Sequence, residues 1–266
     1  MRPIKNGGLT VKKILAIGNS FSEDATSYLE DIATCGGEDC KVVNLYIGGC
    51  SLERHYNNVV GDLREYDPQF KAKPTGEKVS VRDGLISDNW DIVTFQQVSG
   101  LSGVPESYHP YLEKLSEYVK EYCPNAKQYL HMTWAYEKNY VSEAYEKYYN
   151  SDQERMHECI VSAYGKAKES MGKACSGIIP TGKVIAKIRQ SELFDIDRGG
   201  ISMNRDGFHL SLTYGRYAAA ATWYETLFGK SILDNQYVVP HIFDNGFDEK
   251  FEYVKKCVNA VCSEEN

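Results

Sequence analysis

The 266-residue sequence predicts an α/β protein: a three-layer α/β/α sandwich around a mostly parallel, five-stranded sheet. Two observations carry that expectation. Short apolar runs of β type alternate along the chain with longer runs in helical spacing, the pattern of successive βαβ units. The residues with the most chemical potential, Ser20, Gly48-Gly49, Gln96-Gln97 and Trp134, also all fall just past a strand end, where such sheets form their sites. No linker, charge block or repeat interrupts the chain, so a single domain over residues 1–266 is expected.

The elements follow in order. Lys12 to Ile17 is the first strand, stopped by Gly18. A helix is expected from Asp24 to Cys35, with Tyr28, Leu29 and Ile32 on one face and Gly36-Gly37 as its stop. Cys40 to Ile47 is the second strand, ended by Gly48-Gly49, and Leu52 to Leu63 the second helix. Residues 66–82 break the rhythm: Tyr66-Asp67-Pro68 and Lys73-Pro74-Thr75-Gly76 punctuate two extended pieces, which reads as a hairpin-like insertion. The third strand is Asp91 to Gln96, followed by a helix from Glu106 to Tyr122. Gln128 to Thr133 is the fourth strand, and a long helical pattern covers Ser142 to Met171, with Glu143 and Lys147 among its i,i+4 pairs. Gly177 to Pro180 supplies the fifth strand. An irregular loop through Asp206 and His209 leads to an Ala-rich helix, Leu212 to Phe228, ended by Gly229. Residues 230–266 form a C-terminal extension whose last helix runs from Asp248 to Cys262.

Composition narrows the function. The formal charge is -7 with acidic and basic residues interspersed, which excludes the basic face that nucleic acid needs. No apolar stretch approaches the ~18 residues of a membrane span. Met1 to Gly8 lacks the apolar core of a secretory signal, so the cytoplasm is the expected location. The eight cysteines are scattered without a C-x-x-C pair and read as reduced thiols rather than a disulfide framework or zinc site. His157-Glu158 lacks the second histidine of a zinc-protease motif, and no phosphate-binding glycine loop follows the first strand. No metal or organic cofactor is therefore expected. His55 and His109, on or near segments that follow strand ends, read as exposed or core histidines, and His241, in a C-terminal loop, has no evident partner. Twenty tyrosines against nine phenylalanines suit half-buried faces, and would equally suit stacking against sugar rings.

Two short segments carry the chemistry. Ile14 to Ser22 (ILAIGNSFS) sets Ser20 on a tight turn directly after a strand, and Asp206-Gly207-Phe208-His209 supplies an acid and an imidazole three residues apart. A serine hydroxyl is a poor nucleophile until a base takes its proton. His209 can do so, and Asp206 can hold the useful tautomer and stabilise the imidazolium. Backbone N–H groups at the start of the next helix would face developing negative charge. Ser22 and Asp24 read as capping residues of that helix. The segment is not the G-x-S-x-G elbow of α/β-hydrolases, because Ser22 stands where the second glycine would be.

These features resemble a different family, the SGNH or GDSL-like hydrolases, in its bacterial acylhydrolase and esterase branch. Gly18-Asn19-Ser20 stands where that family has Gly-Asp-Ser, and Asp206 to His209 is its terminal D-x-x-H block. The likeness runs over residues 12–229, and the stretch from Asp206 to Gly229 is its most specific part. It implies a flavodoxin-like outline, with Ser20 as nucleophile, His209 as base and Asp206 as its partner. It also implies an oxyanion hole from the Ser20 N–H and a second-block glycine, Gly49 or alternatively Gly48. The family's third-block asparagine is missing, and Gln97 or Gln96 is nominated to donate in its place. Trp134 either walls the acyl or sugar pocket or packs the core. The implied activity is hydrolysis of a short acyl ester, such as acetyl on a glycan. A catalytically silent glycan-binding domain and an acyltransferase are the competing readings.

Overall fold

In the computed structural model, which describes residues 11–240 and 249–265, the apolar runs become strands of one seven-stranded sheet. β1 (Lys12–Gly18) takes the centre because Ile14 to Ile17 present apolar groups to both faces, and all four are buried. A strand without polar alternation has to be covered on both sides. The chain continues through α1 (Ser20–Thr26) and α2 (Leu29–Cys35) to β2 (Cys40–Tyr46), parallel to β1 with Ile14 opposite Val42. After α3 (Leu52–Val60) come β3 (Asp67–Phe70), β4 (Lys73–Pro74) and α4 (Val81–Ile86). β5 (Ile92–Phe95), buried at every residue, pairs with the other side of β1. α5 (Tyr111–Tyr122), β6 (Lys127–His131), α6 (Glu143–Tyr149), α7 (Gln153–Met171) and β7 (Cys175–Ile179) follow. The described chain ends with α8 (Thr181–Arg189), α9 (Tyr214–Phe228) and α10 (Glu249–Glu265).

The order across the sheet is β4-β3-β2-β1-β5-β6-β7, so the chain leaves β1 in one direction to reach β2 and returns across it to reach β5. With right-handed crossovers, that reversal puts helices on both faces. α1, α2, α8, α9 and α10 pack together in one layer, and α3, α4, α5 and α7 in the other. The reversal also opens a crevice at the carboxyl end of β1, the topological switch point of the sheet. No helix among the described residues is long and apolar enough to cross a membrane.

Several expectations change in detail, each for a local reason. The sheet has seven strands rather than five, because the insertion adds β3 and β4 as antiparallel strands along the edge of β2. Pro74 is tolerated there because β4 is the edge strand, which need not donate on both sides. The expected helix at 24–35 is two helices. Thr26 Oγ1 and Ser27 Oγ donate back to the carbonyls of Ser22 and Glu23 (2.8 and 2.6 Å), a local competitor to continued helix. The first of the two begins at Ser20 with Asn19 as its cap, so Ser22 and Asp24 lie inside it rather than capping it.

The 106–122 pattern divides at His109-Pro110, since a residue before proline is steered to extended backbone; a 3-10 turn covers Pro105–Tyr108. The 142–171 pattern divides at Asn150 and Ser151, with φ of 55° and 53°, before Asp152 caps α7. α4 and α8 were not expected. Their signals were present as the Ser80/Asp83 capping box and the buried stripe Val184, Ile185 and Ile188. His241 and the start of the last helix at Asp248 lie outside the described residues.

α9 is the core helix of its layer. It packs against α1, α2, α8 and α10, so it has no solvent face, and Ala218 to Ala221 are all fully buried. Small residues are what allow four neighbours to approach it. Ala220→Leu inserts three extra carbons into that contact and is expected to lower the unfolding free energy by about 1–3 kcal/mol, measured by urea titration.

Candidate active site

Ser20 owes its position to Asn19. With extended backbone at φ −141°, Asn19 accepts from the Phe21 N–H through Oδ1 at 3.0 Å, starting α1 at Ser20. Its amide nitrogen donates to the carbonyl of Cys50 at 3.1 Å, so the β1–α1 turn is fastened to the turn after β2. Gln96, at the end of β5, donates through Nε2 to the same Asn19 Oδ1 at 2.6 Å and accepts from Ser22 Oγ at 2.5 Å. His131, ending β6, faces Gln96 Oε1 through Nδ1 at 2.9 Å. Burial pushes the His131 pKa down to about 3, so its ring is neutral and Nδ1–H donates to the glutamine. Four neighbouring strand ends are thereby joined beneath Ser20.

The second segment arrives on the loop before α9. His209 Nε2 lies 2.8 Å from Ser20 Oγ, and His209 Nδ1 lies 2.7 Å from Asp206 Oδ2. The other Asp206 oxygen accepts the His209 and Phe208 N–H groups at 2.8 and 3.2 Å. Three-residue spacing is what allows one carboxylate to close the turn and hold the ring at once. Burial raises the Asp206 pKa, but the bond from the His209 ring and the two N–H groups outweigh it and hold the carboxyl below its ordinary 3.8. Gly207 is required twice over: its φ is +89°, and a Cβ there would sit 2.5 Å from the Tyr140 ring.

Asp24 ties the two segments together. One helical turn beyond Ser20 and fully buried, it accepts from the Leu210 N–H at 2.8 Å, Arg205 Nη1 at 2.9 Å and Arg216 Nε at 2.8 Å. Leu210 follows His209, Arg205 precedes Asp206, and Arg216 opens α9. Trp134 adds an apolar spacer: it is fully buried, stacks on Phe21 at 4.1 Å and donates to the Phe208 carbonyl at 2.7 Å. Expected at a pocket wall or in the core, it lies in the core between the Ser20 helix and the His209 loop.

The Ser20 and Gly49 N–H groups make no hydrogen bond among the described residues, and Gly49 is exposed with φ +61°. The glutamine amides are engaged elsewhere. Gln97 Nε2 donates to the Ser107 carbonyl and hydroxyl at 2.9 and 3.0 Å, while its Oε1 accepts the Leu52 and Val98 N–H groups. Gln96 Nε2 holds Asn19. The other histidines lie apart: His55 is buried against Tyr66, His109 pairs with Glu113, and His157 is on α7. Sequence reasoning missed the roles of Asp24, Arg205 and Arg216; the only signal was an acid four residues after Ser20 and a base beside Asp206.

The site thus holds a hydroxyl, an imidazole and a carboxylate in hydrogen-bonded series at the crevice where the strand order reverses. Among solved structures, this fold is that of the SGNH/GDSL-like hydrolases. A protein from Slackia heliotrinireducens described as an SGNH hydrolase is 22% identical, with TM-score 0.55 over 82% of this chain and 100% of its own. The lipase/acylhydrolase from Enterococcus faecalis is 16% identical, with TM-score 0.51 over 82% of this chain and 96% of its own.

The chain belongs to the DUF4886 family, a domain of unknown function, whose model matches residues 13–245. A DUF4886 protein from Bacteroides uniformis is 34% identical, with TM-score 0.84 over 97% of both chains. No curated protein sequence matches the chain.

Asp24→Ala leaves two guanidinium groups facing a buried site without their anion. It is expected to lower the unfolding free energy by about 3–5 kcal/mol in urea titration; a loss below about 1 kcal/mol would mean that the arginines find other partners. For Asp206, a lowered folded pKa means that its stabilising contribution is present above the unfolded value and lost as pH falls through the folded one. The stability difference between the wild type and Asp206→Asn is therefore expected at neutral pH and should close below about pH 4. A difference that persists in acid would assign it to something other than the ionised carboxylate.

Proposed function

We propose that this protein is a serine esterase that cleaves a short acyl ester, acetyl first, from a carbohydrate through an acyl-enzyme. The observation that carries the reading is the unbroken series from Ser20 Oγ to His209 Nε2 at 2.8 Å and from His209 Nδ1 to Asp206 at 2.7 Å. Ser20 Oγ attacks the ester carbonyl as its proton passes to His209 Nε2. The imidazolium, stabilised by Asp206, returns that proton to the departing alcohol oxygen. Water then enters, loses a proton to His209 and attacks the acyl carbon, releasing the acid and restoring Ser20 Oγ–H.

The negative charge of each tetrahedral intermediate is assigned to the free N–H groups of Ser20 and Gly49. With Gln97 engaged by Ser107, this is a backbone hole. Gln96 supports it indirectly, through the Asn19 amide that fixes both donor-bearing turns. A small acyl group suits the closed interior behind Ser20, where Phe21 and Trp134 are stacked and almost fully buried.

The test is hydrolysis of p-nitrophenyl acetate, butyrate and octanoate by the wild type and Ser20→Ala. The expected result is turnover that falls with chain length and drops by about 10⁴-fold or more in the variant. Equal rates in the two proteins would remove Ser20 as nucleophile, and faster cleavage of octanoate would reverse the acyl preference.

A further inference from the structure

The side of the site on which His209 sits is aromatic and partly open. The Phe208 ring lies 3.9 Å from the His209 ring and 5.2 Å from that of Tyr140, centroid to centroid. Both phenyl rings are half-buried, and Val141 beside them is 87% exposed. Tyr136, buried behind them, meets Phe208 and Tyr140 edge-on and is fixed by a 2.8 Å bond between its hydroxyl and Ser99 Oγ.

The Tyr140 loop is fastened to the catalytic loop itself. The Glu137 N–H donates to the Gly207 carbonyl at 2.7 Å, the Tyr140 N–H to the Glu137 carbonyl at 3.0 Å, and the Tyr140 ring occupies the space that a side chain at position 207 would need. The platform is therefore preformed, at a fixed distance from His209.

Its chemical role follows from where the ester must lie. If Ser20 attacks and His209 Nε2 delivers the proton to the leaving oxygen, the alcohol part of the substrate has to project to the His209 side. We infer that Tyr140 and Phe208 form the subsite for the alcohol part of the ester and that this part is a sugar ring; the inference rests on the esterase reading above.

The apolar C–H face of a sugar can lie on the two rings, while its hydroxyls meet the Tyr140 hydroxyl, which makes no hydrogen bond among the described residues. A phosphorylated alcohol fits less well. Lys138, the only cation of the 135–142 loop, is engaged by Asp195 and Asp197 at 3.1 and 2.6 Å. Arg205, next to Asp206, is engaged by Asp24.

The experiment compares three acetyl esters that differ only in the alcohol: a mono-O-acetylated methyl xyloside, cyclohexyl acetate and ethyl acetate. The variants are Tyr140→Leu, which keeps an apolar side chain and removes the aromatic face, and Tyr140→Phe, which removes only the hydroxyl; Ser20→Ala is the blank. The wild type should prefer the xyloside ester over the other two in kcat/KM. Tyr140→Leu should reduce the xyloside-to-ethyl ratio about three- to tenfold, chiefly through KM, with a smaller loss in Tyr140→Phe.

If turnover depends on Ser20 but the ratio is the same in folded Tyr140→Leu and the wild type, the subsite is overturned and the esterase reading stands. If cyclohexyl acetate matches the xyloside ester in the wild type, the sugar is overturned as the occupant. If no ester is cleaved in a Ser20-dependent way, the esterase reading falls and takes the subsite with it. Should Tyr140→Leu not fold, Tyr140→Phe carries the test, since an unchanged xyloside-to-cyclohexyl ratio there overturns recognition by the hydroxyl.

Discussion

A carboxylate without solvent exposure needs neighbouring groups to replace the water it has lost. Asp24 meets that condition with two guanidinium groups and one backbone N–H, and each of the three comes from the segment that carries or follows His209. Such an arrangement adds little net stability over a well-packed apolar substitute, so its main consequence is geometric. Ser20 and Asp24 share one short helix; fixing Asp24 against Leu210, Arg205 and Arg216 brings Ser20 and His209 together across 189 residues of chain.

A second constraint acts beneath Ser20. The backbone turns after β1, β2 and β5 would each leave polar groups without water; the side chains of Asn19 and Gln97 satisfy them, and Gln96 holds the Asn19 amide in place. The same accounting separates the histidines. Burial leaves His131 and His55 neutral, each lowered to about 3, and they serve as hydrogen-bonding struts. His55 stacks on Tyr66 and approaches Cys50, whose thiol burial pushes up to about 12, so this cluster under the Gly48-Gly49 turn is chemically quiet. His209 differs in being partly exposed and in having a carboxylate on one nitrogen and a hydroxyl on the other.

The layered α/β architecture was legible because it depends on periodicity. Strands such as Ile14 to Ile17, apolar at every position, and Ile92 to Phe95, apolar at all but Thr94, are the pattern of a sheet covered on both faces. Element boundaries were less legible where polar side chains compete with the backbone, as at Thr26-Ser27, and where the backbone turns left-handed, as at Asn150-Ser151. The two extra strands depended on an edge pairing, Asn44 with Gln69 and Tyr46 with Asp67, that no local pattern encodes.

The candidate site divides in the same way. Ser20, Asp206 and His209 could be nominated from sequence because each lies in a short segment with its own turn chemistry, and the spacing of Asp206 and His209 closes a turn by itself. Asp24, Gln96 and Trp134 could not be assigned their roles, since each acts through partners distant in the chain: Arg216, Asn19 and Phe208. A hydrogen bond between 19 and 96 or an ion pair between 24 and 216 has no periodic trace. The sequence by itself therefore determined the layers, the strand ends and the reactive residue types. Tertiary structure alone decided which polar groups meet in the low-dielectric interior, where an unpaired group is too costly to persist.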